Sequence, residues 1–205
     1  LHEYLDLFRH SQFLQRLDDT KKFEKLIYKI IEQSNFNTSF LVKQRSRDYR
    51  NETIFRVIKG ASEQAYTWDY VMNQVNRFAK GIGKIAMIEK ETPSMVAFLM
   101  ENSLNMVFLD LACLTSGIIN VMIPANSVQE HVEYILNQTK AAVIFVSNDK
   151  QLSKVKAVKK DLPHLRYAVL LTGTSMESWV KTLDEMVQEG LQFPEEQIAY
   201  WKNNV

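Results

Sequence analysis

The chain has 205 residues, 46% of them hydrophobic and 24% charged, with a net charge of +1. That is mass for one large core or one and a half small ones, and the small net charge supplies no global field for nucleic acid. Cys113 is the single cysteine, which excludes an internal disulfide framework. The opening residues, "LHEYLDLFRHSQ", lack a basic stretch followed by an apolar one, so no secretory signal is expected. The triplets at Asn37, Asn51 and Asn137 fit the glycosylation pattern but carry no weight without secretion. A soluble protein of a reducing compartment is expected, its native start upstream of Leu1.

In chain order, "FEKLIYKIIEQS" sets Phe23, Leu26, Ile27, Ile30 and Ile31 on one helical face, so residues 1–35 are read as a helical N-terminal segment. A short helix is predicted over 38–47. "ETIFRVIKGASEQAYTW" reads as two short strands around a turn at Gly60. Thr67 then caps a helix that is predicted to end at Gly81 and Gly83. Four apolar runs follow, "MVAFLM", "IINVMI", "AAVIFV" and "YAVLL", beginning near residues 95, 118, 141 and 167. Between them lie helical patterns. The first is capped by Ser103 and stopped by Gly117, the second opens with a Ser127–Glu130 capping box, and the third closes at Pro163. Runs apolar on both faces and joined by helices predict an α/β fold, a mostly parallel sheet with helices on both faces. Residues 111–129 carry no charge and are long enough to span a bilayer. Gly117, Asn120, Pro124, Asn126 and Ser127 interrupt that run, which predicts instead a buried helix and then a central strand at 118–123. "SMESWVKTLDEMVQEG" reads as one amphipathic helix ending at Gly190.

Candidate chemistry is sparse. "GIGKIA", 81–86, matches the loose dinucleotide pattern, but it closes a helix instead of opening one, so a helix end is the simpler account. "LLTGTS", 170–175, follows a strand and has hydroxyls and one glycine. Its amides suit a phosphate, yet no lysine comes before Lys181, and an ordinary strand-to-helix turn is expected. Cys113 sits among apolar residues with no base beside it, as a buried structural thiol does. His2, His10, His131 and His164 share no metal-ligand spacing. Lys150, Lys154, Lys156, Lys159 and Lys160 form a basic helix face, suited to lipid headgroups but expected to be solvated, with Leu152, Val155 and Val158 packed inward. Glu101 falls at the carboxyl end of its strand, where sheets of this kind place sites.

Taken as an ordered set, Thr67-Trp68, Glu101-Asn102, Gly117, Pro124 to Ser127 and Glu130 resemble the N-terminal portion of the AMP-forming acyl-CoA synthetases, the adenylate-forming superfamily. "DLPHLRYAVLLTGT" with "SWVKTLDEMVQEG" is most like the long-chain fatty-acid branch, and the resemblance covers roughly 36–205. Two departures, Glu91-Thr92 where the family has Gly-Asp and Met106 where an aromatic is common, bear on the subfamily only. The resemblance implies that the whole enzyme uses ATP to convert a fatty acid to an acyl-adenylate and passes the acyl group to coenzyme A, with Mg offsetting phosphate charge. The family's phosphate loop, nucleotide-binding aspartate and catalytic lysine match nothing here. No catalytic, cofactor-binding or metal residue is therefore assigned, residues 36–205 are read as an α/β subdomain truncated before the phosphate loop, and the chain alone is expected to be inactive with no cofactor bound. The implied location is cytoplasmic, with peripheral membrane contact allowed and no nucleic-acid partner. A fatty-acyl-AMP ligase, an independent nucleotide-binding domain and a non-catalytic α/β interaction domain are the alternatives.

Overall fold

A computed structural model of the chain describes residues 37–86 and 95–194, together with Lys25, Tyr28, Lys29, Glu32, Glu196 and Gln197. The expected helical segment at 1–35 lies outside the described residues except for four helical positions. Helix α1, Thr38–Asp48, is capped by Asn37, whose side chain accepts from the Phe40 amide. It docks through Ser39, whose Oγ donates to the Thr115 carbonyl. Strands β1, Thr53–Lys59, and β2, Ser62–Thr67, form an antiparallel hairpin. Its turn uses Gly60 at a φ of +59°, open to glycine at no steric cost. The hairpin rings of Phe55 and Tyr66 lie 6.3 and 6.4 Å from the ring of Phe108, which fixes the hairpin beside the main sheet.

That sheet is parallel throughout. Strands β3 (Met95–Leu99), β4 (Ile119–Ile123), β5 (Val143–Val146), β6 (Tyr167–Leu170) and β7 (Val180–Thr182) lie in the order β4-β3-β5-β6-β7. Successive side chains face opposite sides. Val96, Phe98, Val143, Phe145 and Val169 face helices α2 (Trp68–Ile85), α3 (Leu104–Ser116) and α6 (Leu183–Gly190). Ala97, Leu99, Ile144, Val146, Ala168 and Leu170 face α4 (Gln129–Thr139) and α5 (Asp149–Val158). Phe98 and Phe145 meet edge to face at 5.2 Å, both essentially inaccessible. Each contributes roughly 1.5–3 kcal/mol by burial. The α/β class with a parallel sheet covered on both faces is therefore the fold observed. No helix among the described residues is long and apolar enough to cross a membrane.

Five local expectations are corrected. The strand at 118–123 is the sheet's edge, not its centre, with Ile119 and Met122 43% and 44% exposed. After β4 the chain crosses back over β3 to its far side, so no described strand pairs with the outer edge of β4. The helix over Gly81 and Gly83 does not end there but runs to Ile85. The reason is α6, which crosses at Gly81: a Cβ on Gly190 would stand 2.5 Å from the Gly81 nitrogen. The Ser127–Glu130 capping box does not form. Val128 is the N-cap, without a side-chain bond, because Ser127 belongs to a turn whose amide donates to the Pro124 carbonyl. The segment 175–190 is not one helix. Val180–Thr182 is the fifth strand, and Thr182 and Glu185 form a capping box that starts α6 there. Consequently the turn at 170–175 leads to a strand, not a helix.

Candidate functional site

The direction of the chain through the sheet decides where a cleft opens. From β3 the chain leaves toward β4, and from β5 it leaves toward β6 on the opposite side. Neighbouring strands whose connections diverge leave a crevice outside their carboxyl ends. Leu99 and Val146 are the last paired residues of β3 and β5, so Glu101, Ser147 and Asn148 stand at that crevice.

These side chains form one network. Glu101 Oε2 accepts from Ser147 Oγ and, at 3.3 Å, from Asn148 Nδ2. Glu101 Oε1 accepts from Gln151 Nε2 at 2.8 Å. The second hydrogen on Gln151 Nε2 goes to the Ala125 carbonyl at 2.9 Å. Lys154 Nζ donates to the carbonyls of Ala125 and Ser127, both at 2.8 Å. Asn148 also caps α5 by accepting from the Gln151 amide at 3.1 Å. Hydrogen bonds from Ser147 first, then Gln151 and Asn148, pull the Glu101 carboxyl down to about 2. The network thus presents a fixed, ionised carboxylate at the crevice and joins the turns after β3, β4 and β5.

Beside it runs a groove of about 530 Å³ between the hairpin and the start of α3, lined by Phe55, Val57, Leu104, Met106 and Met122 with Arg56 and Asp110. Arg56 pairs with Glu63 at 2.5 Å, and Asp110 accepts from Asn120 Nδ2.

The sequence candidates fare differently. Glu101 is at the crevice. Cys113 is fully buried, and burial with the nearby Asp110 pushes its thiol up, so it is no nucleophile. Gly81, Gly83 and Ala86 lie in or at the end of a buried helix packed on α6, away from any strand-to-helix turn. Gly173, at φ +115°, packs against Asp149: a Cβ there would meet its carboxylate oxygens at 3.0 and 3.1 Å. That turn offers a phosphate a neighbouring carboxylate, and residues 170–175 contain no lysine. His131 and His164 are exposed and apart, while His2 and His10 lie outside the described residues. No group of three or more His, Cys, Asp or Glu among the described residues is placed to hold a metal.

The basic face at 150–160 is only partly solvated. Leu152, Val155 and Val158 are buried as expected, but Lys154 turns onto the carbonyls of Ala125 and Ser127, Lys156 reaches Glu177 at 3.5 Å, and Lys159 sits over the Trp179 ring. Sequence reasoning missed Gln151. The available signal was its step of four from Val155, which puts an amide on the apolar side of α5.

Comparisons with known proteins agree with this architecture. The family model described as AMP-binding enzyme matches residues 42–201. The long-chain-fatty-acid–CoA ligase ACSBG1 of Rattus norvegicus is 33% identical over 122 residues, covering 58% of this chain and 16% of the rat protein. The ACSBG1 of Homo sapiens is 29% identical over 134 residues, covering 64% of this chain and 18% of the human one. This chain thus spans about a sixth of the length of these relatives. Among solved structures, the anthranilate CoA ligase AuaEII in complex with anthranoyl-AMP aligns with a TM-score of 0.62 at 18% identity, over 78% of this chain and 28% of that one. Coronafacic Acid Ligase from Pectobacterium brasiliense aligns with a TM-score of 0.62 at 15% identity, over 75% and 29%. At those identities the structures speak for the fold, the parallel sheet of CoA ligases. The model match spans more than three quarters of the sequence, and on it this chain belongs to the AMP-binding enzyme family.

Proposed function

We propose that the protein to which this chain contributes is a fatty-acid–CoA ligase. A fatty carboxylate attacks the α-phosphate of ATP, pyrophosphate leaves, and the thiol of coenzyme A displaces AMP from the acyl-adenylate. The observation that carries this reading is the 33% identity to a long-chain-fatty-acid–CoA ligase over 122 residues. Within that protein we read 1–35 as a helical lead segment and 36–205 as a subdomain that supplies one wall of the cleft. Its own contribution is positional. The β3–β5 crevice sets the cleft's place, and the Glu101 network holds three turns in register around it. Mg, when bound, offsets phosphate charge. The reading puts the protein in the cytoplasm, with peripheral contact at membranes where an acyl substrate partitions.

ATP–pyrophosphate exchange tests it. The full-length protein should exchange pyrophosphate into ATP only with a fatty acid present, and coenzyme A should then release AMP and acyl-CoA. Exchange without AMP release on adding coenzyme A would point to a different acyl acceptor. No exchange with fatty acids of any length, or release of ADP in place of AMP, overturns the reading.

A further inference from the structure

We propose that Gln151 is a positioning residue for the cleft, clamping the turn after β4 to Glu101 across the β3–β5 crevice. Three observations support it. Gln151 is 1% exposed although it is polar. Its Nε2 uses both hydrogens on turns from two other elements, 50 residues away at Glu101 and 26 away at Ala125. Its Oε1, also buried, receives no hydrogen bond from the described residues. A buried carbonyl left unpaired is destabilising, so packing alone favours an apolar side chain here, and the amide is explained by its two donors. The donors are also chemically specific. Both facing atoms are acceptor oxygens, so a carboxylate at 151 meets repulsion, and asparagine falls one methylene short. Glu101 must in turn stay a carboxylate. It accepts from Gln151 on one oxygen and from Ser147 and Asn148 on the other, whereas an amide there turns an N–H toward one set of donors. Lys154 completes the clamp by holding Ala125 and Ser127 from the next turn of α5.

The functional half of this inference rests on the ligase reading; the clamp itself does not. Both halves are tested in the full-length protein with Gln151→Leu, and with Lys154→Met in case the first variant does not fold. By hydrogen exchange, amides of 125–128 should open about tenfold faster or more, while those of β5 and β6 keep their wild-type rates. In fatty-acid-dependent exchange, kcat should fall about tenfold with the ATP KM moving less than about threefold, because a shifted wall misaligns reacting groups more than it weakens capture. Unchanged rates at 125–128, or acceleration spread evenly over the sheet, overturn the clamp. A loosened turn with unchanged kcat overturns the positioning role. A wild-type protein with no exchange at all sinks the ligase reading, and the hydrogen-exchange result still decides the clamp.

Discussion

Replacing Gly190 with alanine tests the closest approach in the fold. Alanine ordinarily stabilises a helix relative to glycine by about 0.5–1 kcal/mol. Gly190 is the last residue of α6 and has ordinary helical φ, so propensity alone predicts a gain. The geometry predicts the reverse. The new Cβ would stand 2.5 Å from Gly81 N, 2.7 Å from Gly81 Cα and 2.9 Å from Lys80 C. All three are backbone atoms inside α2, so no rotamer change relieves the contact. The helices must separate by most of an ångström, which pulls Met186, itself fully buried, away from its neighbours. Overpacking of this kind typically costs 1–3 kcal/mol, and the rigidity of the obstacle argues for the upper end. Net of propensity, Gly190→Ala should destabilise by about 2 kcal/mol, or about 4–8 °C in Tm for a chain of this size. Urea unfolding followed by circular dichroism measures it, with the m-value checked for constancy. A neutral or stabilising result would refute the close helix crossing, and with it the explanation for glycine at both 81 and 190.

Two further outcomes follow from single positions. Gly117 ends α3 at a φ of +68°, so Gly117→Val should cost more than about 1 kcal/mol in the same assay; an unchanged midpoint would show that the position tolerates a branched side chain. Glu101 has a folded-state carboxyl near 2 against an ordinary 4.5. A depressed value means its stabilisation is complete above about pH 4.5 and is lost as pH falls toward 2. The stability gap between wild type and Glu101→Gln should therefore stay constant from pH 7 to 5 and close below it, and a gap that widens on acidification contradicts the network.

Much of this fold was legible because its cues are local. Thr67, Ser103 and Gly117 do what their residue types do at helix ends, and the four apolar runs became β3 to β6. The failures share a physical cause. An apolar run reports that both faces of a strand are covered; its lateral place depends on which way each crossover turns, and so β4 read as central. At 175–190, Val180, Leu183 and Val187 keep helical spacing across a strand–helix boundary, so the strand was hidden. Gly81 meets Gly190 only in three dimensions, and near a helix pattern's end a glycine looks like a stop. The candidate site was legible only in its first member. Glu101 could be placed at a strand's carboxyl end, but Gln151 and Lys154 act on partners 26 to 50 residues away, so only the turning of the sheet brings them together.

The same network bears on what the 205 residues do alone. On the proposed reading the cleft must hold a triphosphate, yet Lys154, which reaches the turn after β4 at its rim, is engaged. Its ammonium serves two carbonyls, those of Ala125 and Ser127. The rim itself is acidic, with Glu101 held ionised and Asp149 against the one glycine of the β6 turn. A phosphate charge about 4 Å from a carboxylate is repelled by roughly 1–4 kcal/mol near a protein surface, before any desolvation is counted. Binding of ATP to residues 1–205 should therefore be weaker than about 1 mM, a free energy of no more than about 4 kcal/mol. Isothermal titration with ATP and Mg, on protein first shown to be folded by circular dichroism, should give no saturable heat, and fatty-acid-dependent pyrophosphate exchange should be absent in this chain and present in the full-length protein. A dissociation constant below about 0.1 mM for the chain alone would mean that its rim carries a cationic cradle after all, and that the charge argument built on Glu101, Asp149 and Lys154 is wrong.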